Sequence, residues 1–218
     1  MFRVRFDGTG FQTLFVFPEL VTNSAGLPIN VEGATPSPGL TDGGDGRLYG
    51  VTNLGGAGGN GAVFAIDPLS GVLTTLHNFD GTAGARPTGE LLLAQNGSLI
   101  GTTATGGTSS AGVVTTFGTI FSIARDGTGF TSIHSFQGSD GSSPSGRLLQ
   151  LNPTTFVGIT QSGGRCSQGT VYQLSLTGAT TKGVTNCGRK DNSGGGSVAP
   201  ALLLLLLVAG LARRATAR

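Results

Sequence analysis

The sequence predicts an all-β protein: a β-propeller-like array of tandem four-stranded units, about three and a half of them, followed by a C-terminal hydrophobic helix. Three observations predict it. A set of short motifs recurs in the same order at spacings of 51 and 57 residues. Apolar runs of four to six residues, such as Gly61–Ile66 and Gly118–Ile123, are separated by glycine-rich turns, and glycine supplies 40 of the 218 residues. The last 25 residues, Gly194–Arg218, change character to small residues, then apolar ones, then arginine.

The chain opens inside a unit. Phe2–Phe11 matches Phe121–Phe130 at the key positions, and Leu14–Phe17 matches Ile133–Phe136. This partial unit spans residues 2–17 and lacks the first two strands of the others. Three fuller units follow at 36–79, 87–136 and 144–187, making a repeat domain over residues 1–188. Each carries a strand-like run, at Leu48–Thr52, Leu99–Thr103 or Phe156–Thr160. A glycine pair follows at a fixed offset: Gly55-Gly56, Gly106-Gly107 or Gly163-Gly164. The next strand begins Gly61-Ala-Val-Phe64, Gly118-Thr-Ile-Phe121 or Gly169-Thr-Val-Tyr172. Two units end on Leu76–Phe79 and Ile133–Phe136, each followed by a Gly-x-x-Pro turn at Gly84–Pro87 or Gly141–Pro144. Asn96-Gly97 and Asp126-Gly127 are hairpin signals, because these residues accept the backbone angles tight turns require. Four strands in roughly 50 residues is the period of a propeller blade. Fewer than four complete units give an open stack. Two copies would contribute the same half-unit, so a pair of chains does not complete a ring.

Three of the 13 basic residues are Arg213, Arg214 and Arg218 in the tail, and 11 acidic residues nearly balance the rest. No basic stripe exists to neutralise phosphates, which excludes a nucleic-acid partner. Cys166 and Cys187 are the chain's two cysteines. In an exported protein they are expected to close a disulfide, with a loop of about 20 residues worth roughly 3 kcal/mol.

Candidate chemistry is sparse. His77 and His134 occupy equivalent repeat positions, so they lie on separate units and do not converge on one centre. A hydrogen-bonded histidine fixing a strand end is the expectation. Asp42, Asp45, Asp80, Asp126 and Asp140 sit beside glycines. Calcium needs six to eight oxygens and only Asp42 and Asp45 are close in sequence, so turn formation is the better reading. The Gly55–Gly61 segment lacks the Gly-Lys-Ser/Thr of a phosphate loop. Arg86 and Arg147 lie near turns and read as solvated surface. No catalytic residue, metal or cofactor is assigned.

The motifs resemble the choice-of-anchor tandem repeat proteins of bacteria, whose repeat is called GloVer. The resemblance is carried by Leu48–Thr52, Gly106-Gly107, Gly169–Tyr172, Leu76–Phe79 and the Gly-x-x-Pro turns, and covers residues 2–178. Phe15 departs from it, standing where the fuller units carry His77 and His134.

The remainder, 189–218, is similar to the GlyGly-type C-terminal sorting tail processed by a rhomboid-family protease (a rhombosortase). Gly194, Gly195, Gly196 and Ser197 fit its small-residue motif. The uncharged run Val198–Ala212, containing Leu202–Leu207, fits its membrane segment, and Arg213 and Arg214 its basic end. Fifteen helical residues span about 22 Å against a hydrocarbon core of about 30 Å, which suits a processed signal better than a permanent anchor. Arginines stay on the cytoplasmic side, so the repeats are expected outside, in the bacterial envelope. Met1 is followed by no export signal, and the expectation is that this is the C-terminal portion of a longer protein or that the true start lies upstream of Met1. The functional expectation is a non-enzymatic surface scaffold for recognition or adhesion, with a glycan or protein ligand and the membrane as partners. The alternative is the C-terminal fragment of a larger envelope enzyme or carbohydrate-active protein.

Overall fold

A computed structural model describes residues 1–109, 111–176 and 182–184. Strands and turns account for all of the regular structure, and the described residues contain no helix. Accordingly, none among them is long and apolar enough to cross a membrane. The expected C-terminal helix, with the whole of Gly194–Arg218, lies outside the described residues.

The partial first unit is a two-stranded antiparallel sheet, β1 (Phe2–Arg3) and β2 (Gln12–Thr13). A second hairpin, β3 (Val21–Thr22) and β4 (Pro28–Ile29), was not anticipated. Asn23 makes it: its side-chain oxygen accepts from the amides of Ala25 and Leu27, each at 2.9 Å.

The second unit contains β5 (Ala34–Pro36), β6 (Thr41–Asp42), β7 (Leu48–Leu54), β8 (Ala62–Ile66) and β9 (Leu73–Asn78), with β5 and β6 both pairing to β7. The third is a meander of β10 (Ala85–Leu93), β11 (Leu99–Thr105), β12 (Thr119–Ile123) and β13 (Thr131–Ser135). The fourth repeats it as β14 (Ser142–Asn152), β15 (Thr155–Ser162), β16 (Thr170–Ser175) and β17 (Lys182–Val184). The fourth strand of this unit falls in a polar stretch of the sequence, where β17 pairs with β16 over three residues.

The first strand of each unit is interrupted at one repeat position. In the second unit the break separates β5 from β6. In β10 and β14 it is a register shift between Thr88 and Leu92 and between Ser145 and Leu149. Gly89 and Gly146 sit there at equivalent positions with φ of 77° and 75°, and Gly39, one residue further along its unit, has φ of 90°, angles that other residues adopt at a cost. The first strands also approach closely: a Cβ on Gly89 would lie 2.8 Å from the backbone of Gly146. Side chains then bond from one first strand to the next. Thr41 Oγ1 donates to the Leu91 carbonyl, and Thr88 Oγ1 donates to the Pro144 carbonyl at 3.0 Å.

Thr35, Arg86 and Ser143 precede the proline of each Gly-x-x-Pro turn and have positive φ, at 54°, 53° and 53°. Non-glycine residues resist that region. The two later cases show what the angle achieves: the Arg86 amide donates to Asn60 O at 2.8 Å and the Ser143 amide to Phe117 O at 2.9 Å. Asn60 and Phe117 belong to the loop of the preceding unit, so the unusual backbone ties consecutive sheets together.

Two apolar cores lie between the sheets. Because successive side chains of a strand point to opposite faces, the third unit contributes to both. Leu91, Leu99, Phe121 and Ile123 pack with Tyr49, Val51, Val63, Ala65 and Phe79 of the second unit. Leu92, Ile100, Ile120 and Phe136 pack with Leu148, Phe156, Tyr172 and Leu174 of the fourth. Threonines stitch the interior: Thr103 Oγ1 lies 2.8 Å from Thr119 Oγ1, and Thr160 Oγ1 lies 2.9 Å from Thr170 Oγ1.

Gly50, Gly101 and Gly158 are cross-strand partners of Phe64, Phe121 and Tyr172. In each pair the aromatic ring lies over the glycine, and a Cβ on Gly101 would sit 2.5 Å from Phe121 Cζ. Gly101→Val therefore overpacks the core and is expected to destabilise by about 1–3 kcal/mol, measured as a lower urea midpoint. An unchanged midpoint would show that the ring moves aside freely.

Candidate functional site

The histidines occupy equivalent positions but different environments. His134 Nε2 lies 2.8 Å from Asp140 Oδ2, and the Gln137 amide donates to Asp140 Oδ1 at 2.8 Å. Burial works to raise the Asp140 carboxyl, but the His134 and Gln137 bonds outweigh it and hold it below the ordinary 3.8. In the second unit Ala83 stands where the third has Asp140. His77 instead stacks flat on Phe130 at 3.6 Å and 8°, with its edge toward Phe79.

Burial of His77 lowers its pKa below the ordinary 6.5, with Asp80 pulling weakly the other way. The unfolded chain therefore takes the proton first as pH falls below 6.5. The stabilising contribution is complete above that value and is lost as pH drops through the lowered folded value. His77→Phe, which copies Phe15 of the first unit, is expected to flatten that part of the stability profile. A profile identical to the unsubstituted chain would show that His77 is not its source.

The aspartates serve turns. Asp42 accepts from the Gly44 amide at 2.8 Å, Asp80 from Thr82 at 2.9 Å and Asp126 from Thr128 at 2.9 Å. Among the described residues no group of three or more His, Cys, Asp or Glu is placed to hold a metal. The glycine loops close on their own backbone: Gly61 N donates to Gly55 O at 2.9 Å and Gly169 N to Gly163 O at 3.1 Å. Asn78 caps the first of them by accepting from the Ala57 amide at 2.9 Å. Arg86 is exposed, and Arg147 lies 3.2 Å from Glu90 on the neighbouring first strand.

Cys166 lies in the Gly163–Gly169 loop and is disulfide-bonded, while Cys187 falls outside the described residues. The repeat explains their spacing. They are the equivalents of Gly58 and Phe79 in the second unit, where a Cβ on Gly58 would collide with the Phe79 carbonyl oxygen.

A polar cleft of about 410 Å³ opens where the turns of the second and third units meet, lined by Asp45, Arg47, Tyr49, Asn96, Arg125 and Asp126 among others. Tyr49 Oη donates to Asp45 Oδ2 at 2.7 Å. Arg125 Nη1 donates to Gly43 O at 2.7 Å and lies 3.8 Å from Asp45 Oδ2. The Tyr49 bond is the largest influence holding Asp45 below 3.8. Burial, then the Asp45 bond, pushes Tyr49 up to about 12. Both groups are thus fixed in their neutral-pH charge states. The cleft presents set carboxylates and guanidinium groups and suits hydrogen bonding to a polar ligand more than proton transfer. Sequence reasoning weighed Asp45 for calcium and passed over Tyr49 and Arg125. The two turns are some 80 residues apart in sequence, and only sheet stacking brings them together.

Stacked antiparallel sheets, repeat-conserving loops and a polar inter-unit cleft define a tandem β-repeat protein. The model of the Gloeobacter/Verrucomicrobia repeat matches residues 1–117, more than half of the sequence, and the chain belongs to that family. No curated protein matches it in sequence. Among solved structures, TolB from Acinetobacter baumannii is 16% identical, with 85% of this chain and 37% of that one covered at a TM-score of 0.49. A chain from the crystal structure of a nidogen/laminin complex is 12% identical, with 65% and 44% covered at a TM-score of 0.45. The chain spans less than half the length of either.

Proposed function

We propose that this chain is a non-enzymatic recognition scaffold of the bacterial cell surface, its sheets stacked as an open partial propeller. The observation that carries the reading is the use made of the polar side chains. The histidines and aspartates of the repeat are committed to turns and inter-unit contacts, while the polar cleft offers fixed donors and acceptors. A hydrophilic ligand, such as a surface glycan or a polar protein loop, fits that chemistry. Arrays of glycans and envelope proteins probed with the full chain test it. Binding that is lost in Arg125→Ala and Asp45→Ala, with folding retained, supports the reading. Turnover of a bound substrate, or binding indifferent to both substitutions, contradicts it.

The destination rests on the tail. In this reading Gly194–Ser197 is the unwinding point at which a rhombosortase-type protease cuts, since glycine weakens a helix by about 1 kcal/mol relative to alanine. Val198–Ala212 holds the precursor in the membrane, and Arg213 and Arg214 keep its end cytoplasmic. The intact mass of surface material decides: it should lack Leu202–Arg218. A mass that includes them makes the tail a plain anchor.

A further inference from the structure

A tandem repeat copies what its fold needs, so residues that depart from the copy and still meet at one place point to a role other than folding. The polar cleft between the second and third units is built from such departures. Arg47 stands where the third and fourth units carry Ser98 and Thr155, and Tyr49 where they carry Ile100 and Val157. Asp45 stands where they carry Asn96 and Pro153. Arg125 stands where the other units carry Phe6, Pro68 and Leu176. These four residues line the same cleft. The second unit supplies three of them and the third unit one, so no single copy of the repeat makes the site. The cleft is interior to the array, with a whole sheet on either side.

The groups inside it are not equally committed. Asp45 is spent, since Oδ2 accepts from Tyr49 and Oδ1 from the Arg47 amide at 3.1 Å. Arg125 is held by Gly43 O and faces Asp45. The Arg47 guanidinium makes no hydrogen bond or ion pair among the described residues. Its backbone is nonetheless fixed by the turn, where its carbonyl accepts from Gly43 N at 3.0 Å. Asn96 uses Oδ1 on the Ser98 amide, and Asp126 uses Oδ1 on Thr128. Asn96 Nδ2 and Asp126 Oδ2 are left without a hydrogen bond among the described residues. Both guanidinium groups lie near enough to Tyr49 to oppose the rise in its pKa. The uncommitted groups thus include a forked cation, an amide donor and a carboxylate oxygen.

We infer that this cleft binds a sugar bearing a carboxylate, such as a uronic acid, and that Arg47 is the residue that recognises the carboxylate. The inference rests on the recognition reading above and narrows its ligand to one class. An arginine presents a rigid fork of donors that a carboxylate meets bidentately. Sugar hydroxyls both donate and accept, which suits Asn96 and Asp126. A polyanion fits less well, because Asp45 and Asp126 stand beside the arginines and repel further negative charge. A protein loop fits less well too. Protein interfaces draw their affinity from aromatic and other large anchors packed in desolvated pockets. Here the Tyr49 ring is fully buried, its hydroxyl is taken by Asp45, and Ala124 is the only aliphatic side chain in the lining. The volume of about 410 Å³ is in the range of small-ligand sites.

Isothermal titration calorimetry of the full chain, in a mild non-ionic detergent, tests the inference. The probes are short oligosaccharides of galacturonic, glucuronic and mannuronic acid, their methyl esters, and a glutamate peptide. At least one of the acids should bind about tenfold or more tightly than its ester, and the peptide should not compete with it. Arg47→Ser should bring that ratio near one. It copies Ser98, so the turn is one the repeat already builds. Arg47→Gln replaces it if folding is disturbed. Arg125→Ala, which frees Asp45, should abolish binding of acid and ester alike. Acid and ester bound equally, with loss in Arg125→Ala, would overturn the carboxylate inference and leave the recognition reading standing. A ratio unmoved by Arg47→Ser overturns it as well, and so does a peptide that binds as tightly as the acids. Binding of none of the sugars also overturns it, while the glycan and protein arrays decide the broader reading.

Discussion

Replacing Phe121 by alanine is expected to destabilise the repeat body by about 3–5 kcal/mol, the usual range for removing a buried phenylalanine. Phe121 is fully buried in the core between the second and third sheets. Its ring lies edge-on to Phe79 at 5.2 Å and stacks with Phe130 at 5.7 Å. It also covers Gly101, which has no side chain to fill the space left behind. Domains are commonly stable by only about 5–15 kcal/mol, so the variant should lose a large fraction of the body's stability. Urea denaturation followed by circular dichroism measures it. The equivalent Phe2→Ala should cost far less, because Phe2 is 63% exposed. Equal losses at the two positions would contradict the assignment of the core.

The second large effect is expected at Cys166. Cys187 occupies the repeat position of Phe17, Phe79 and Phe136, the aromatic that closes the fourth strand of earlier units. Cys166 replaces a glycine whose Cβ would meet the backbone of that same residue. The fourth unit thus carries a cysteine pair where its predecessors carry a ring. Cys166→Ser should cost about 3 kcal/mol, the entropy estimate for a loop of this length, and the loss should match that caused by a reductant on the unsubstituted chain. An unmoved midpoint, or two thiols reactive in denatured, unreduced surface material, would show that the pair is not closed.

Much of the fold was legible because the sequence states it repeatedly. The Leu-x-Gly-x-Thr runs, the glycine pairs and the Asn96-Gly97 and Asp126-Gly127 turns each mark a strand or its end. The continuous apolar run Leu91–Leu93 signals a sheet covered on both faces, and the third unit is covered in that way. The hairpin at Val21–Ile29 was missed because its two-residue strands carry no alternation and depend on one asparagine side chain. The split between His77 and His134 was visible only as Ala83 against Asp140, a difference without meaning until the fourth-strand loop is placed. The polar cleft was least legible. Asp45, Tyr49 and Arg125 form no sequence motif, and only the stacking of units brings them together.

The repeat's characteristic residues build inter-sheet cores and ties. Amide hydrogen exchange of the full chain, read peptide by peptide, tests this most directly. Strands β7 and β8, β11 and β12, and β15 and β16 should be protected together, with β12 among the slowest because both of its faces are buried. The hairpins β1–β2 and β3–β4 should exchange quickly. Protection should fall in all three units when Phe121 is replaced by alanine, since stacked repeats stabilise their neighbours. Three units that exchange independently, or a β12 as unprotected as β1, would contradict it.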